Sequence, residues 1–482
     1  MNLYLRLAAL AQAQPDKTAI ENASRRVSYG EFDLAVRRIA GRLRAAGAGE
    51  GDVIGLRLHD APEHVAALFA VLRIGAIVLP LDWRAPRADF ARVIGQFPPK
   101  AILDDEIPLP GWANAAITMG SALEAEPDDM QPALLSHAPM GFSLTSGTTG
   151  VPKAFVVTHE QLEARCAIRA YEGVYDNLDR FLVTLPLAYA AGREHSICVL
   201  LIGATLMMMP PLFGPGELVS FVNSSGVTAV SLSPNVSRAL VSIKRDGQLL
   251  MPGLRALVST TGKLQPEDRV AIRSFVAPRL IDYYGSTGTG PIAAITHSVD
   301  GVTDTAVGRP MHGVRIEVVD DDGNCLPVGE IGRVRVAGDA ISTRSVGAVS
   351  VGGEGYHDGW YYPGDLGSFG PDGLLHLHGR TNELIKRGGL SVYAQEVEQA
   401  LRRHDYVQDA AVVGIPSETL GEEVVAFVVV KSTVGQKDLI RHCRAELAAY
   451  KVPTRIEFIA ELPRGPGGKV VKGQLPQYSL GR

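Results

Sequence analysis

Cysteine is scarce in this chain: four residues in 482, at positions 166, 198, 325 and 443, with no Cys-x-x-Cys pair. Such spacing supplies neither a zinc site nor a disulfide framework. It predicts separate buried thiols in a reducing compartment. Positive charge is not in excess either. The formal net charge is −5, without a polybasic run, so nucleic acid is not an expected partner. The N-terminus lacks a basic start followed by an apolar stretch and a cleavage site, so no signal peptide is expected and the location reads as cytoplasmic. Long uncharged runs are nearly missing. Residues 196–213 carry no charge and touch the lower limit for a membrane span. Gly203 interrupts that run and Pro210-Pro211 ends it, so it reads as a buried helix end, a glycine stop and a core strand over 204–209. Neither an internal repeat nor a low-complexity tract is present.

What is there is apolar bulk and alternation. The hydrophobic fraction of 46% fills large cores, and the length exceeds one compact core at roughly 100–200 residues per domain. Helical and strand periods alternate through the first two-thirds, as layered α/β structure requires. Ser28 and Glu31 fit a capping box, followed by Phe32, Ala35, Val36, Ile39 and Leu43 at helical spacing. Asp60 is placed to cap the helix carrying Val65, Leu68, Phe69 and Leu72. Strands are expected near 53–58, 181–185, 229–232, 254–259 and 280–284, with a helix over 265–275. After about residue 306 the style changes to a β-hairpin region, 314–319 and 331–336 around an Asp-Asp-Gly turn. The last hundred residues read as a small α+β domain, with strands at 410–415, 424–430 and 456–458 and a helix near 436–450.

The densest chemistry lies at residues 142–154, Phe-Ser-Leu-Thr-Ser-Gly-Thr-Thr-Gly-Val-Pro-Lys-Ala. Thr145, Ser146, Thr148 and Thr149 supply hydroxyls. Gly147 and Gly150 let backbone N–H groups turn inward, and Lys153 neutralises charge. Together they form a nest for a polyphosphate, although the Walker A spacing is missing. The segment resembles the phosphate loop of the adenylate-forming superfamily, which comprises acyl- and aryl-CoA synthetases, peptide-synthetase adenylation domains and luciferases.

The resemblance extends almost end to end and carries further residues with it. Residues 72–84 resemble a structural core motif. Ile281-Asp-Tyr-Tyr-Gly-Ser-Thr-Gly288 resembles the adenine segment, with Asp282, Tyr283, Tyr284 and Gly285 at the purine and Thr287 reaching the α-phosphate. Thr260, Thr261 and Gly262 resemble the loop on the purine's other side. Tyr-Tyr-Pro-Gly-Asp365 and Gly379-Arg380 resemble the ribose motifs, with Pro363 where threonine is usual. Asn382 holds the hinge position, where aspartate or lysine is common. Residues 386–391, with Gly389, would line a pantetheine tunnel. Lys469 in Pro463-Arg-Gly-Pro-Gly-Gly-Lys resembles the catalytic lysine of a C-terminal loop. Pro186-Leu-Ala-Tyr189-Ala-Ala-Gly-Arg193 sits at the acyl-pocket and tunnel-gate motif. Arg193 and Glu194 there either read a polar acyl end or form a solvated or ion-paired helix start.

The resemblance implies a large N-terminal domain, residues 1–381, of layered α/β subdomains plus a β-rich one. A small mobile α+β domain, residues 382–482, would carry the lysine. It implies activation of a small-molecule carboxylic acid by ATP and Mg²⁺ as acyl-AMP, then transfer to coenzyme A. An acyl or peptidyl carrier protein is the alternative acceptor. One departure bears on this. The adenine motif usually ends in glutamate, which helps hold Mg²⁺, and Gly288 stands there. A catalytically weakened nucleotide or acyl binder is therefore a further alternative. Amino-acid-activating members usually place an aspartate near Tyr189, and none is present. Residues 450–453 and 456–458 lean towards benzoate-type and small-acid CoA ligases.

Overall fold

A computed structural model describes residues 2–105, 115–132, 134, 136–145, 153–210, 212–243, 247–296, 305–347, 355–417, 419–464 and 470–475. The chain forms two compact units. The first comprises Met1–Asp304, Gly308–Arg315 and Val336–Val349, the second Thr305–Val307, Ile316–Arg335 and Ser350–Arg482.

Two sheets organise the first unit. In one, the strands run in the order Gly290–Ile295, Leu280–Ser286, Ala256–Ser259, Ala229–Leu232, Arg180–Val183, Thr205–Met207, Thr18–Glu21 and Arg26–Ser28. Its six inner strands are parallel, and the strand that flanks them on each side is antiparallel to its neighbour. The other sheet runs Arg344–Gly347, Lys153–Thr158, Pro139–Thr145, Ile77–Pro80, Val53–Arg57, Ala101–Asp104 and Ala115–Thr118. The inner strands of both sheets are short, buried and rich in Val, Ile, Leu and Ala, as parallel strands covered on both faces should be.

Two helices are buried nearly all round. Pro62–Arg73 exposes little beyond Glu63, and Ala190–Leu201 is buried from Gly192 onward. The helix Tyr29–Ala45 is amphipathic. Its Ser28–Glu31 capping box is present, and Phe32, Val36, Ile39 and Leu43 face the core. The 196–213 run resolves as expected into a helix end, Gly203 at φ 82° and the strand Thr205–Met207. Among the described residues no helix is long and apolar enough to cross a membrane.

Two expectations fail. Asp60 does not cap the helix that follows it. That helix starts after Ala61 with no side-chain cap, and Asp60 Oδ1 instead accepts from Leu187 N at 2.8 Å. The cysteines are not all separate thiols, for Cys166 and Cys198 are joined in a disulfide between the helices His159–Tyr171 and Ala190–Leu201. A separation of 32 residues hid the pair from any spacing argument. Cys325 is free and exposed, Cys443 free and buried.

The second unit contains residues 316–319 and 332–335 of the expected hairpin, and the antiparallel pair Asp365–Phe369 and Leu375–Arg380. Its last part is a five-stranded sheet with the helices Ala394–Arg402 and Gln436–Glu446. The central hairpin, Val407–Ser417 with Gly421–Val430, is longer than its apolar cores suggest.

Candidate active site

Two paired antiparallel strands flank the phosphate segment. Thr145 at the end of Pro139–Thr145 pairs with Lys153 at the start of Lys153–Thr158. Ser146, Gly147, Thr148, Thr149 and Gly150, and the side chain of Thr145, lie outside the described residues. The Lys153 ammonium sits 5.1 Å from the centre of the Phe155 ring. On the hairpin's other flank Gly347 lies opposite Lys153.

The adenine segment is the strand Leu280–Ser286, and strand alternation separates its residues. Asp282 is buried and pairs with Arg269 at 2.8 Å. Burial pushes its carboxyl up, and Arg269 opposes that. Tyr283 takes the opposite face, where its hydroxyl meets His195 Nε2 at 2.8 Å. The Tyr283 ring packs in the core. Tyr284, half-buried, stands on the Asp282 face. Gly285 sits at a register shift where an added Cβ would lie 2.0 Å from the Gly290 carbonyl oxygen, so no side chain fits.

Beyond the strand Ala256–Ser259 come Thr260, buried, and Thr261 at φ 74°. A β-branched residue held there is strained, and such strain concentrates at ligand clamps. A Cβ on Gly262 would lie 3.2 Å from the Pro234 ring, so the loop approaches its neighbour closely.

At the helix start Ala190–Leu201, the Tyr189 hydroxyl donates to Asp82 Oδ2 at 3.2 Å. Arg193 is not solvated, and among the described residues it makes no ion pair. It is buried and donates to the carbonyls of Leu187 (3.2 Å), Ala188 (3.2 Å) and Phe142 (2.9 Å). Burial lowers its pKa to about 10. It fastens the gate turn to the strand that leads into the phosphate loop. Glu194 is buried as well, between Arg165 and Arg169. Burial alone would raise its carboxyl, but the two guanidinium groups hold it below the ordinary carboxylate range.

In the second unit Asp365 and Arg380 lie opposite each other, Nε to Oδ1 at 3.0 Å. Arg380 Nη1 also donates to the Pro363 carbonyl at 2.5 Å, so the residue in threonine's place still contributes an acceptor. Asn382 is exposed in the 3₁₀ turn Thr381–Glu383. Gly388 and Gly389, at φ 57° and 80°, make the turn between Leu384–Arg387 and Leu390–Tyr393. Lys469 lies outside the described residues. A bridge between Arg464 and Val470 closes the base of its loop. Just beyond, Lys472 pairs with Glu383 at 2.6 Å and Glu398 at 2.8 Å. Burial would lower the Lys472 pKa, and the two carboxylates reverse that. Motif reading passed over Lys472, Glu398 and Arg165, because nothing in their local sequence distinguishes them from surface charges.

The residues at Gly288 offer a metal little. There is no side chain, and the carbonyl already accepts from Ser342 N at 2.8 Å and Arg165 Nη2 at 3.1 Å. Among the described residues no group of three or more His, Cys, Asp or Glu could hold a metal ion.

The model of the AMP-binding enzyme family matches residues 7–344. The chain belongs to the AMP-binding enzyme family. The C-terminal domain model of AMP-binding enzymes also matches, over residues 396–469, ending on the candidate catalytic lysine. Among AMP-binding relatives, the chain is 28% identical to an indoleacetate–CoA ligase of Aromatoleum aromaticum, over 97% of this chain and 96% of that protein. It is 29% identical to a sulfoacetate–CoA ligase of Cupriavidus necator, over 98% and 97%. A fatty acid–[acyl-carrier-protein] ligase of Streptomyces coeruleorubidus is 29% identical over 96% and 94%. ATP-bound MatB from Rhodopseudomonas palustris has the same fold, with a TM-score of 0.89, 24% identity and coverage of 100% and 99%.

Proposed function

We propose that this protein is an ATP-dependent carboxylic acid–CoA ligase working through an acyl-adenylate. What carries the reading is near-full-length similarity, 28–29%, to proteins named as acid–CoA ligases. In the first step a carboxylate oxygen attacks the α-phosphorus of ATP and pyrophosphate leaves. In the second the CoA thiolate attacks the acyl carbon and AMP leaves. AMP is a far better leaving group than hydroxide, so the protein's task is positioning and charge stabilisation.

The phosphate loop, residues 145–150, and Lys153 cradle the phosphates, and Thr287 takes the α-phosphate. Tyr284 stacks on the purine, with Thr260, Thr261 and Gly262 on its other side. Asp365 accepts from the ribose hydroxyls while Arg380 holds its second oxygen. Lys469 stabilises the charge that builds at the in-line transition state. Residues 1–381 and 382–482 are the two domains, with Asn382 as hinge and Gly389 lining the thiol's path. Mg²⁺ would arrive with ATP and neutralise phosphate charge, and Gly288 would offer it no carboxylate. The cytoplasm, where ATP and CoA are at hand, is the location this reading requires.

A second acceptor is favoured by one observation, the 29% identity to an acyl-carrier-protein ligase. One experiment separates the two. Incubation with ATP, acid and CoA gives acyl-CoA and AMP in equal amounts if CoA is the acceptor. Thioester found only on a phosphopantetheinylated carrier protein, with none on CoA, overturns the first reading.

A further inference from the structure

Arg165 is the largest of the fully buried side chains. It projects from the helix His159–Tyr171 into a set of acceptors drawn from three other segments. Nε donates to the Ala340 carbonyl at 3.0 Å. Nη2 donates to the Gly288 carbonyl at 3.1 Å and the Ser342 hydroxyl at 3.1 Å, with the Thr287 carbonyl at 3.5 Å. Nη1 pairs with Glu194, which Arg169 also holds at 2.9 Å. One turn earlier on the helix, Gln161 Nε2 donates to the Ile341 carbonyl at 2.9 Å. An added Cβ at Gly290 would lie 2.7 Å from Arg165 Nε, so that glycine makes room for the guanidinium.

Glycine at 288 leaves the adjoining peptides freer to rotate than any other residue would. A rotated peptide would aim a carbonyl lone pair outward, and carbonyl oxygens repel phosphate oxygens. An anion-binding turn must present N–H and hydroxyl groups instead. Arg165 and Ser342 N turn the carbonyls of this turn into the buried interior. Burying a guanidinium is costly unless it is paired and hydrogen-bonded, and Glu194 meets that condition. The gripped segment 340–342 runs into the strand Arg344–Gly347, which pairs with Lys153–Thr158. Through it the Thr287 turn is held in register with the hairpin that bears the phosphate loop.

We propose that Arg165 is a positioning residue for the α-phosphate, fixing the peptide orientation of the Thr287–Gly288 turn and its register with the Lys153 hairpin. The proposal rests on the reading of Thr287 as the α-phosphate group. The probes are AMP and adenosine, which share purine and ribose and differ in that phosphate. Binding of each is measured by titration calorimetry on Arg165→Met, Arg165→Lys, Arg169→Met and Thr287→Ala, with the folded fraction fixed by circular dichroism.

Arg165→Met is expected to weaken AMP binding roughly 30-fold, about the worth of one hydrogen bond to a charged group, and adenosine less than about threefold. Arg165→Lys keeps the charge without the planar fork, and its AMP affinity should fall between the two. Arg169→Met breaks the same buried ion cluster without touching the turn, so it should lose stability yet bind AMP within about threefold of the parent. Equal loss of AMP and adenosine in folded Arg165 variants overturns the proposal. So does an equal AMP loss in Arg169→Met, or unchanged AMP binding in Arg165→Met. If Arg165→Met does not fold, Arg165→Lys against Arg169→Lys decides by the same criteria. Parent-like AMP binding by Thr287→Ala overturns the Thr287 assignment alone. A loss confined to the Arg165 variants then still supports positioning through the turn's backbone.

Discussion

Arg380 holds Asp365 across an antiparallel pair, Nε 3.0 Å from Oδ1, which fixes the orientation of the carboxylate. If that carboxylate accepts from ribose, Asp365→Asn should raise KM for ATP roughly 10- to 100-fold, the effect of losing hydrogen bonds to a charged group. Initial rates at varied ATP check this. A KM within twofold of the parent would remove Asp365 from the nucleotide site.

The buried Arg165–Glu194–Arg169 cluster predicts an asymmetric stability effect. Glu194→Ala strands two interior guanidinium groups and should destabilise the fold by about 3–5 kcal/mol, as breaking a buried pair does. Glu194→Gln keeps the acceptor and should cost less. Urea unfolding of both variants is the check, and a loss below about 1 kcal/mol in Glu194→Ala contradicts the arrangement.

Three buried histidines set the acid side of stability. His64 and His159 are each pushed by burial from the ordinary 6.5 down to about 4, and His195, between the hydroxyls of Tyr175 and Tyr283, is lowered as well. His64 Nδ1 donates to the His59 carbonyl at 3.2 Å, so an added proton would sit on Nε2, which has no partner among the described residues. His159 Nδ1 accepts from Leu3 N at 3.2 Å, so an added proton there would displace that hydrogen bond. The folded state keeps these rings neutral while the unfolded chain protonates them near 6.5. Stability is therefore full above 6.5 and falls as pH drops towards 4, by up to about 1.4 kcal/mol per pH unit for each ring. Unfolding free energies measured from pH 7 to 4.5 test the sign. A flat profile over that interval would mean the rings are not buried neutral.

Thiol counting tests the cysteine pairing. Denatured, unreduced protein should show two reactive thiols, Cys325 and Cys443, and reduction should raise the count to four. In the native state Cys325 should react and buried Cys443 should not. Four thiols without reduction would return Cys166 and Cys198 to the separate state their spacing predicts.

Where local chemistry decides the structure, it could be read directly. The Ser28–Glu31 capping box needs only four consecutive residues, and Gly203 stops a helix by its own φ. The motif order likewise led to the family, because phosphate and ribose recognition use fixed short patterns. What stayed hidden depends on distant partners. Arg193 resembled a surface charge until the carbonyls of Phe142, Leu187 and Ala188 closed around it. Asp60 resembled a cap, but its acceptor is taken by Leu187, 127 residues away. Tyr283 and Tyr284 are neighbours in sequence, yet the strand's two-residue period sends one into the core and leaves the other half-exposed.

The central claim is that this chain adenylates a carboxylic acid although glycine stands at 288. It is tested most directly by acid-dependent ATP–pyrophosphate exchange with Mg²⁺, across aliphatic, aromatic, dicarboxylic, sulfonated and amino acids. The account predicts exchange with at least one non-amino-acid class, abolished in Lys469→Ala. Tight ATP binding with no exchange from any class would contradict it and make the chain a nucleotide binder.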